Sequence, residues 1–208
     1  MTQPDLFQAN YGPSLDAARR DALDCRRCDL WRSGTRTVFG SGSADAQLML
    51  IGEAPAEADD RTGLPFSGPS GAVLDAWLEE IGLTRGDVWL TNVVKHRPTV
   101  VENGREKNRP PRAGEANACR VWLDIELSHV RPSLILALGG TAGKALLGKG
   151  FKITQQRGRV LPGPGAIPVI ATFHPAYILR LEPPELQQAE KLVSDDLALV
   201  GRELKIGS

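Results

Sequence analysis

The 208-residue chain carries 25 Lys plus Arg against 25 Asp plus Glu, and 41% of it is hydrophobic, the make-up of an ordinary globular protein with one sizeable core. Balanced charge excludes a global basic field, so contact with nucleic acid has to come from local patches. No apolar run is long enough to span a bilayer, and the N-terminal "MTQPDLFQANYGPS" lacks the charged-then-apolar order of a secretory signal, so a cytoplasmic location with no membrane partner is expected, and cysteines used as thiolates rather than in disulfides.

Residues 1–12 read as a flexible N-terminal tail and residues 13–208 as one domain. Pro13 is placed to start a polar helix from about Ser14 that runs into "DALDCRRCDLW". "QLMLIGEAP" opens with a short apolar strand, Gln47 to Ile51. Leu74, Trp77, Leu78 and Ile81 then recur at i, i+3, i+4 and i+7, which predicts an amphipathic helix stopped by Gly82. "DVWLTNVV" is a second strand. From Lys95 to Arg112 the chain holds three prolines, a glycine and seven basic residues counting His96, a loop composition. "GEANACRVWLDIELSHV" is helical, "SLILALGG" a third, buried strand, and "TAGKALLG" a short helix. A turn-rich "QQRGRVLPGPGAIP" leads to a fourth strand, "PVIATF". The last helix begins near Pro183 with Leu186, Ala189, Val193, Leu197 and Val200 on one face.

Apolar strands alternating with helices predict an α/β fold of three layers, α/β/α, around a central four-stranded parallel sheet. In such sheets ligands gather beyond the carboxyl ends of the strands. Glu53, Asn92 and His174 stand at three of those ends. Each alone is the kind of residue that also serves as a turn former or cap. Together at one sheet edge they point to chemistry, without naming a substrate. Cys25-x-x-Cys28 with His96 and Cys119 makes up a Cys3His set, which ligand chemistry alone assigns to structural zinc.

Several motifs go further. "GEAPAEADDRTGLPFSGPSG", "TNVVKHRP", "NRPP", "ACRVWL", "ILALGGTAGKALLG", "RGRVL" and "FHPAYILR", in that order between Cys25 and Arg180, together resemble the family 4 uracil-DNA glycosylases. The resemblance implies the three-layer fold and hydrolysis of the N-glycosidic bond of uracil in DNA, single- or double-stranded, leaving an abasic site. It also implies roles. Asn92 would read the edge of the flipped base, since its amide can accept from uracil N3–H and donate to O4 while cytosine presents the reverse. Phe66 would stack on the base, the alternative being plain core packing. His174 would donate to uracil O2 as charge develops there. Glu53 and the Ala54 amide would line the opposite side, and Asn108 would hold the attacking water. Lys95, Arg97, Lys107, Arg109 and Arg112 on one loop, with Arg157, Arg159 and Arg180 on the other side, would meet DNA phosphates. Tyr177, Ile178 and Leu179 would form an apolar wedge in the duplex.

The resemblance shifts the metal from zinc to a [4Fe–4S] cluster on Cys25, Cys28, His96 and Cys119, with zinc, or a three-ligand cluster beside an unbound His96, as the other readings. His96 stands where the family has cysteine, as it does in the related branch that binds covalently to uracil in DNA. In that branch a loop histidine attacks the sugar. Here the loop between His96 and Cys119 contains no histidine and Asn108 occupies the matching place, so hydrolysis is expected over covalent capture. A non-catalytic DNA-binding module is the remaining alternative. Ala56 replaces the usual glycine of "GEAPG", where a methyl group could crowd the ligand. Nothing in the sequence demands more than a monomer.

Overall fold

A computed structural model of the chain describes residues 14–206. The tail expected over residues 1–12, and Pro13 as helix starter, lie outside the described residues. Helix α1, Leu15–Leu23, is capped by the Ser14 hydroxyl, which accepts from the Ala17 amide, and buries Ala18 and Ala22. It ends before the cysteine pair, so Cys25 and Cys28 sit on the turn that leads into a 3-10 segment, Asp29–Arg32. Strand β1, Ser41–Gly42, precedes β2, Leu48–Gly52. Helix α2, Glu57–Thr62, is short, and α3, Pro69–Glu80, buries Leu74, Trp77 and Leu78 as their spacing requires. Strand β3 is Val88–Asn92.

The segment expected as a loop is partly ordered into a hairpin, β4 (Thr99–Glu102) and β5 (Arg105–Asn108). Asn103 and Gly104 at its tip both have positive φ, 52° and 71°. That is the two-residue turn that Asn-Gly favours, because its twist matches that of paired strands. Then follow α4 (Ala113–Val130), β6 (Leu134–Leu138), α5 (Gly139–Leu147), α6 (Ile153–Gln156), β7 (Leu161–Pro162), β8 (Pro168–Thr172), α7 (Pro175–Ile178) and α8 (Glu185–Leu204).

The main sheet has the order β1-β3-β2-β6-β8-β7. Its four central strands are parallel, as expected, while two-residue strands add antiparallel pairs at both edges. Two residues are too few to show an alternation, and Pro162 fits only at an edge. Successive side chains of each strand enter opposite layers. Met49, Ile51, Ile135, Ala137, Val169 and Ala171 pack with α1, α4 and α5. Leu48, Leu50, Leu134, Leu136 and Ile170 pack with α3 and α8. The chain leaves β2 toward β3 on one side and returns to β6 on the other. Their carboxyl ends therefore form the crevice where such sheets bind ligands. Among the described residues no helix is long and apolar enough to cross a membrane.

Candidate active site

A cavity of about 800 Å³ opens at that crevice. Its lining comes from the segment after β2 (Glu53 to Asp59), the start of α5 (Leu138 to Gly140) and the segment after β8 (Phe173, His174), with Phe66 and Asn108. Glu53, Ala54, Phe66, Asn108 and His174 are thus brought together from four stretches of sequence.

Asn92, the last residue of β3, is 1% exposed, and both its Oδ1 and Nδ2 lack a hydrogen-bond partner. A buried amide without a protein partner is costly, so a water or a ligand is expected to complete it; Asn92 does not itself line the cavity but lies behind its Phe66 wall. It lies beside Phe66 across Gly52: a Cβ added to Gly52 would stand 2.4 Å from Asn92 Oδ1 and 2.6 Å from Phe66 Cζ. Gly52 is required there by contact with both.

His174 caps α7, and its Nδ1 accepts the Ala176 amide at 3.0 Å. With Nδ1 an acceptor, the proton of the neutral ring is on Nε2. Burial, helped by the positive charge of Arg180, lowers the His174 pKa to about 4. The ring is therefore neutral near pH 7 and offers one N–H donor. Phe66 is 4% exposed and packs with Leu48, Leu50 and Leu74 as well as lining the cavity, and it faces the His174 ring at 6.2 Å between centroids and 30° between planes.

Asp59 ties two walls together. Its carboxylate accepts from the Ser67 amide at 2.7 Å and from the Ala56 amide at 3.1 Å, and burial raises its pKa despite those bonds. Ala56 itself has φ −96°, ordinary extended backbone, so no left-handed conformation demands glycine there. Asn108 Oδ1 accepts from Arg97 Nε at 2.7 Å, which fixes the amide at the mouth of the cavity.

The expected DNA contacts divide by burial. Lys95 is a correction: it is 0% exposed, and its Nζ is held by Glu126 at 2.7 Å, Thr91 and the Asn92 carbonyl. Its charge is spent inside the core. Arg97 is buried as well and faces Glu57 and Glu106 besides Asn108. Arg109 pairs with Glu115 at 2.7 Å, holding that carboxyl below its usual range. Arg157 pairs with Asp196 at 2.5 Å. Ile178 is a second correction, at 6% exposure packed in the core. Lys107, Arg112, Arg159, Arg180, Tyr177 and Leu179 remain on the surface, and Tyr177 and Arg180 also line the cavity. Arg61 and Asp59 line it too. Both fall within the motif from Gly52 to Gly71 but were assigned no role, because their place follows from where α2 lands on the sheet edge.

The three cysteines are free thiols. Burial pushes the pKa of Cys119 up to about 12 and raises that of Cys28, with smaller contributions from the neighbouring thiols. Two N–H groups point at sulfur: the Lys95 amide at Cys119 Sγ and the Trp122 indole at Cys25 Sγ, each at 3.2 Å. His96 is placed differently. Its Nε2 lies 3.0 Å from Thr37 Oγ1, and its electrostatic neighbour is Asp60. Thr37 gives its one proton to the Ala22 carbonyl at 2.8 Å, so the hydroxyl accepts from Nε2–H and the ring's lone pair is on Nδ1. Among the described residues no three Cys, His, Asp or Glu side chains are gathered around a single-ion site. The donor set nevertheless suits a cationic cluster: a buried thiol such as Cys119 ionises only beside positive charge, and N–H groups already face two of the sulfurs.

Residues 39–198 match the sequence profile of the Uracil DNA glycosylase superfamily. The chain is 38% identical to the "Type-4 uracil-DNA glycosylase" of Thermotoga maritima over 174 residues, 83% of this chain and 85% of that one. It is 35% identical to the protein of the same name from Sulfurisphaera tokodaii over 201 residues, 93% of this chain and 86% of that one. A "Type-5 uracil-DNA glycosylase" of Pyrobaculum aerophilum is 32% identical over 79% of this chain and 76% of its own. With its parallel sheet, the cavity at the sheet's carboxyl edge and these relatives, the chain belongs to family 4 of the uracil-DNA glycosylase superfamily.

Proposed function

We propose that this protein removes uracil from DNA by hydrolysing the N-glycosidic bond, leaving an abasic site. The observation that carries the reading is the partnerless Asn92 amide, buried beside the Phe66 ring. With Oδ1 toward N3–H and Nδ2 toward O4 such an amide matches uracil, and in that orientation it opposes the reverse pattern of cytosine. The target base has to leave the stack to reach it. Phe66 then takes one face of the base, a contact that binds every base and discriminates little.

Bond breaking leaves negative charge on uracil and positive charge on the sugar. The neutral His174 gives its Nε2–H to O2 as that charge grows, an electrostatic role in the place of a full proton transfer. Glu53 and the Ala54 amide line the cavity, where the carboxylate favours a cationic sugar and orders water. Asn108 brings an amide to the mouth of the cavity, which orients a water and does not itself attack. Hydrolysis with turnover is therefore the reading, not covalent capture. Lys107, Arg112, Arg159 and Arg180 meet phosphates, and Tyr177 with Leu179 fill the space that the base vacates.

Cys25, Cys28 and Cys119, with His96 through Nδ1, would hold a [4Fe–4S] cluster. Those four residues would tie the turn after α1 to α4 and to the segment that follows β3, a structural role. An oligonucleotide with one uracil, incubated with brown, cluster-loaded protein and then treated with alkali, should be cut at that uracil. An uncut strand overturns the glycosylase reading, and a denaturant-resistant protein–DNA adduct replaces it with covalent capture. A colourless protein with stoichiometric zinc would overturn the cluster assignment alone.

A further inference from the structure

Phe66 has its ring in the cavity and its backbone at φ 56°, a left-handed conformation that a bulky side chain avoids unless its surroundings impose it. Asp59 holds this backbone from the cavity side through the Phe66 and Ser67 amides, and a second group holds it from outside. Arg85, in the turn between α3 and β3, donates from Nη2 to the Phe66 carbonyl at 2.7 Å and from Nη1 to the Pro65 carbonyl at 3.4 Å. The same guanidinium is anchored on α3 by Asp75, with Nε to Oδ1 at 2.5 Å and Nη2 to Oδ2 at 3.2 Å. Gly71 leaves room for this clamp: a Cβ there would stand 1.8 Å from the Phe66 oxygen and 2.6 Å from Arg85 Nη2. A planar fork of donors serves a carboxylate and two carbonyls at once, which an ammonium group cannot do.

We propose that Arg85, oriented by Asp75, is a positioning residue for Phe66: it holds the Pro65 and Phe66 carbonyls so that the ring stays aligned with the flipped base. The proposal rests on the reading of Phe66 as the stacking residue. Arg85 does not line the cavity, so it acts only through Phe66. The Arg85–Asp75 pair is itself partly exposed, 38% and 43% at the side chains, and such pairs add little to global stability. Its loss should therefore appear in base release and not in melting.

The test is a double-mutant cycle on single-turnover uracil release, with melting temperature read alongside. Arg85→Gln should slow release by about tenfold to a hundredfold, as a misplaced binding group does, with melting close to that of the parent. Arg85→Lys, charged but without the fork, should recover only part of the loss. Combined with Phe66→Leu, Arg85→Gln should cost nothing further. Losses that multiply, or an unimpaired Arg85→Gln beside a crippled Phe66→Leu, overturn the proposal alone. An unimpaired Phe66→Leu overturns the stacking reading and the proposal with it. Should Arg85→Gln not fold, Asp75→Asn carries the same test: a smaller loss of release, absent in the Phe66→Leu background.

Discussion

In the proposed mechanism Asn92 serves recognition and His174 charge stabilisation, and each gives a prediction of definite sign. Asn92 keeps a buried amide without partners, at a penalty of about 1–3 kcal/mol to the empty protein. Asn92→Ala should therefore leave stability unchanged or raise it by about 1 kcal/mol, while slowing uracil release by about a hundredfold or more. Thermal melts beside single-turnover assays check both halves. His174 stays neutral in the folded protein down to about pH 4, whereas an unfolded imidazole takes its proton near pH 6.5. Between those values the unfolded chain binds more protons. Stability is thus complete above about pH 6.5 and falls as pH falls toward 4, by about 3 kcal/mol at most. His174→Gln should flatten that part of the denaturation profile. Asn92 and His174 were legible because strand ends and apolar runs mark themselves in sequence. Arg85 was not, because its partners are carbonyls 19 and 20 residues away in the chain and a carbonyl leaves no trace in residue type.

At the scale of elements, the segment after β3 combines a buried anchor with an exposed hairpin. Lys95 and Glu126 are both 0% exposed and tie the end of β3 to α4. Lys95→Met would leave the buried Glu126 carboxylate without its counter-charge, held only by the Gly40 amide and the Thr91 hydroxyl, and should cost about 3–5 kcal/mol, read from urea unfolding. The basic run around Lys95 showed charge but not burial, and so it read as a DNA-binding loop throughout. Only residues further along it suit that role. The hairpin escaped notice because its strands, "TVVE" and "REKN", have no apolar face to produce an alternation. The Asn-Gly turn was its one local signal. Lys107→Ala with Arg112→Ala should weaken binding to any DNA sequence, lowering the salt dependence of the affinity by about 0.7–0.9 per lost phosphate contact. Release of an already bound uracil should hardly change.

For the molecule as a whole, the parallel sheet was readable because each central strand is short and apolar, with side chains that alternate between two helical layers. The sheet order was not, since pairing depends on contacts between distant strands. That order decides function: it puts the ends of β2 and β6 side by side and gathers Glu53, Phe66 and His174 around one cavity. Cys28 and Cys119 of the proposed metal set lie on the α1 and α4 side of the sheet, so loss of the set should loosen structure before it alters base recognition. His96→Ala should lower iron content and melting temperature, while His96→Cys should retain the cluster. Base discrimination is the central claim, and it has a direct measurement: the release of free base from three strands identical except for uracil, cytosine or thymine at one position. We expect repeated turnover on the uracil strand and none on the cytosine strand, because the Asn92 amide opposes its pattern. Equal release from uracil and cytosine, or release from neither, would contradict the account.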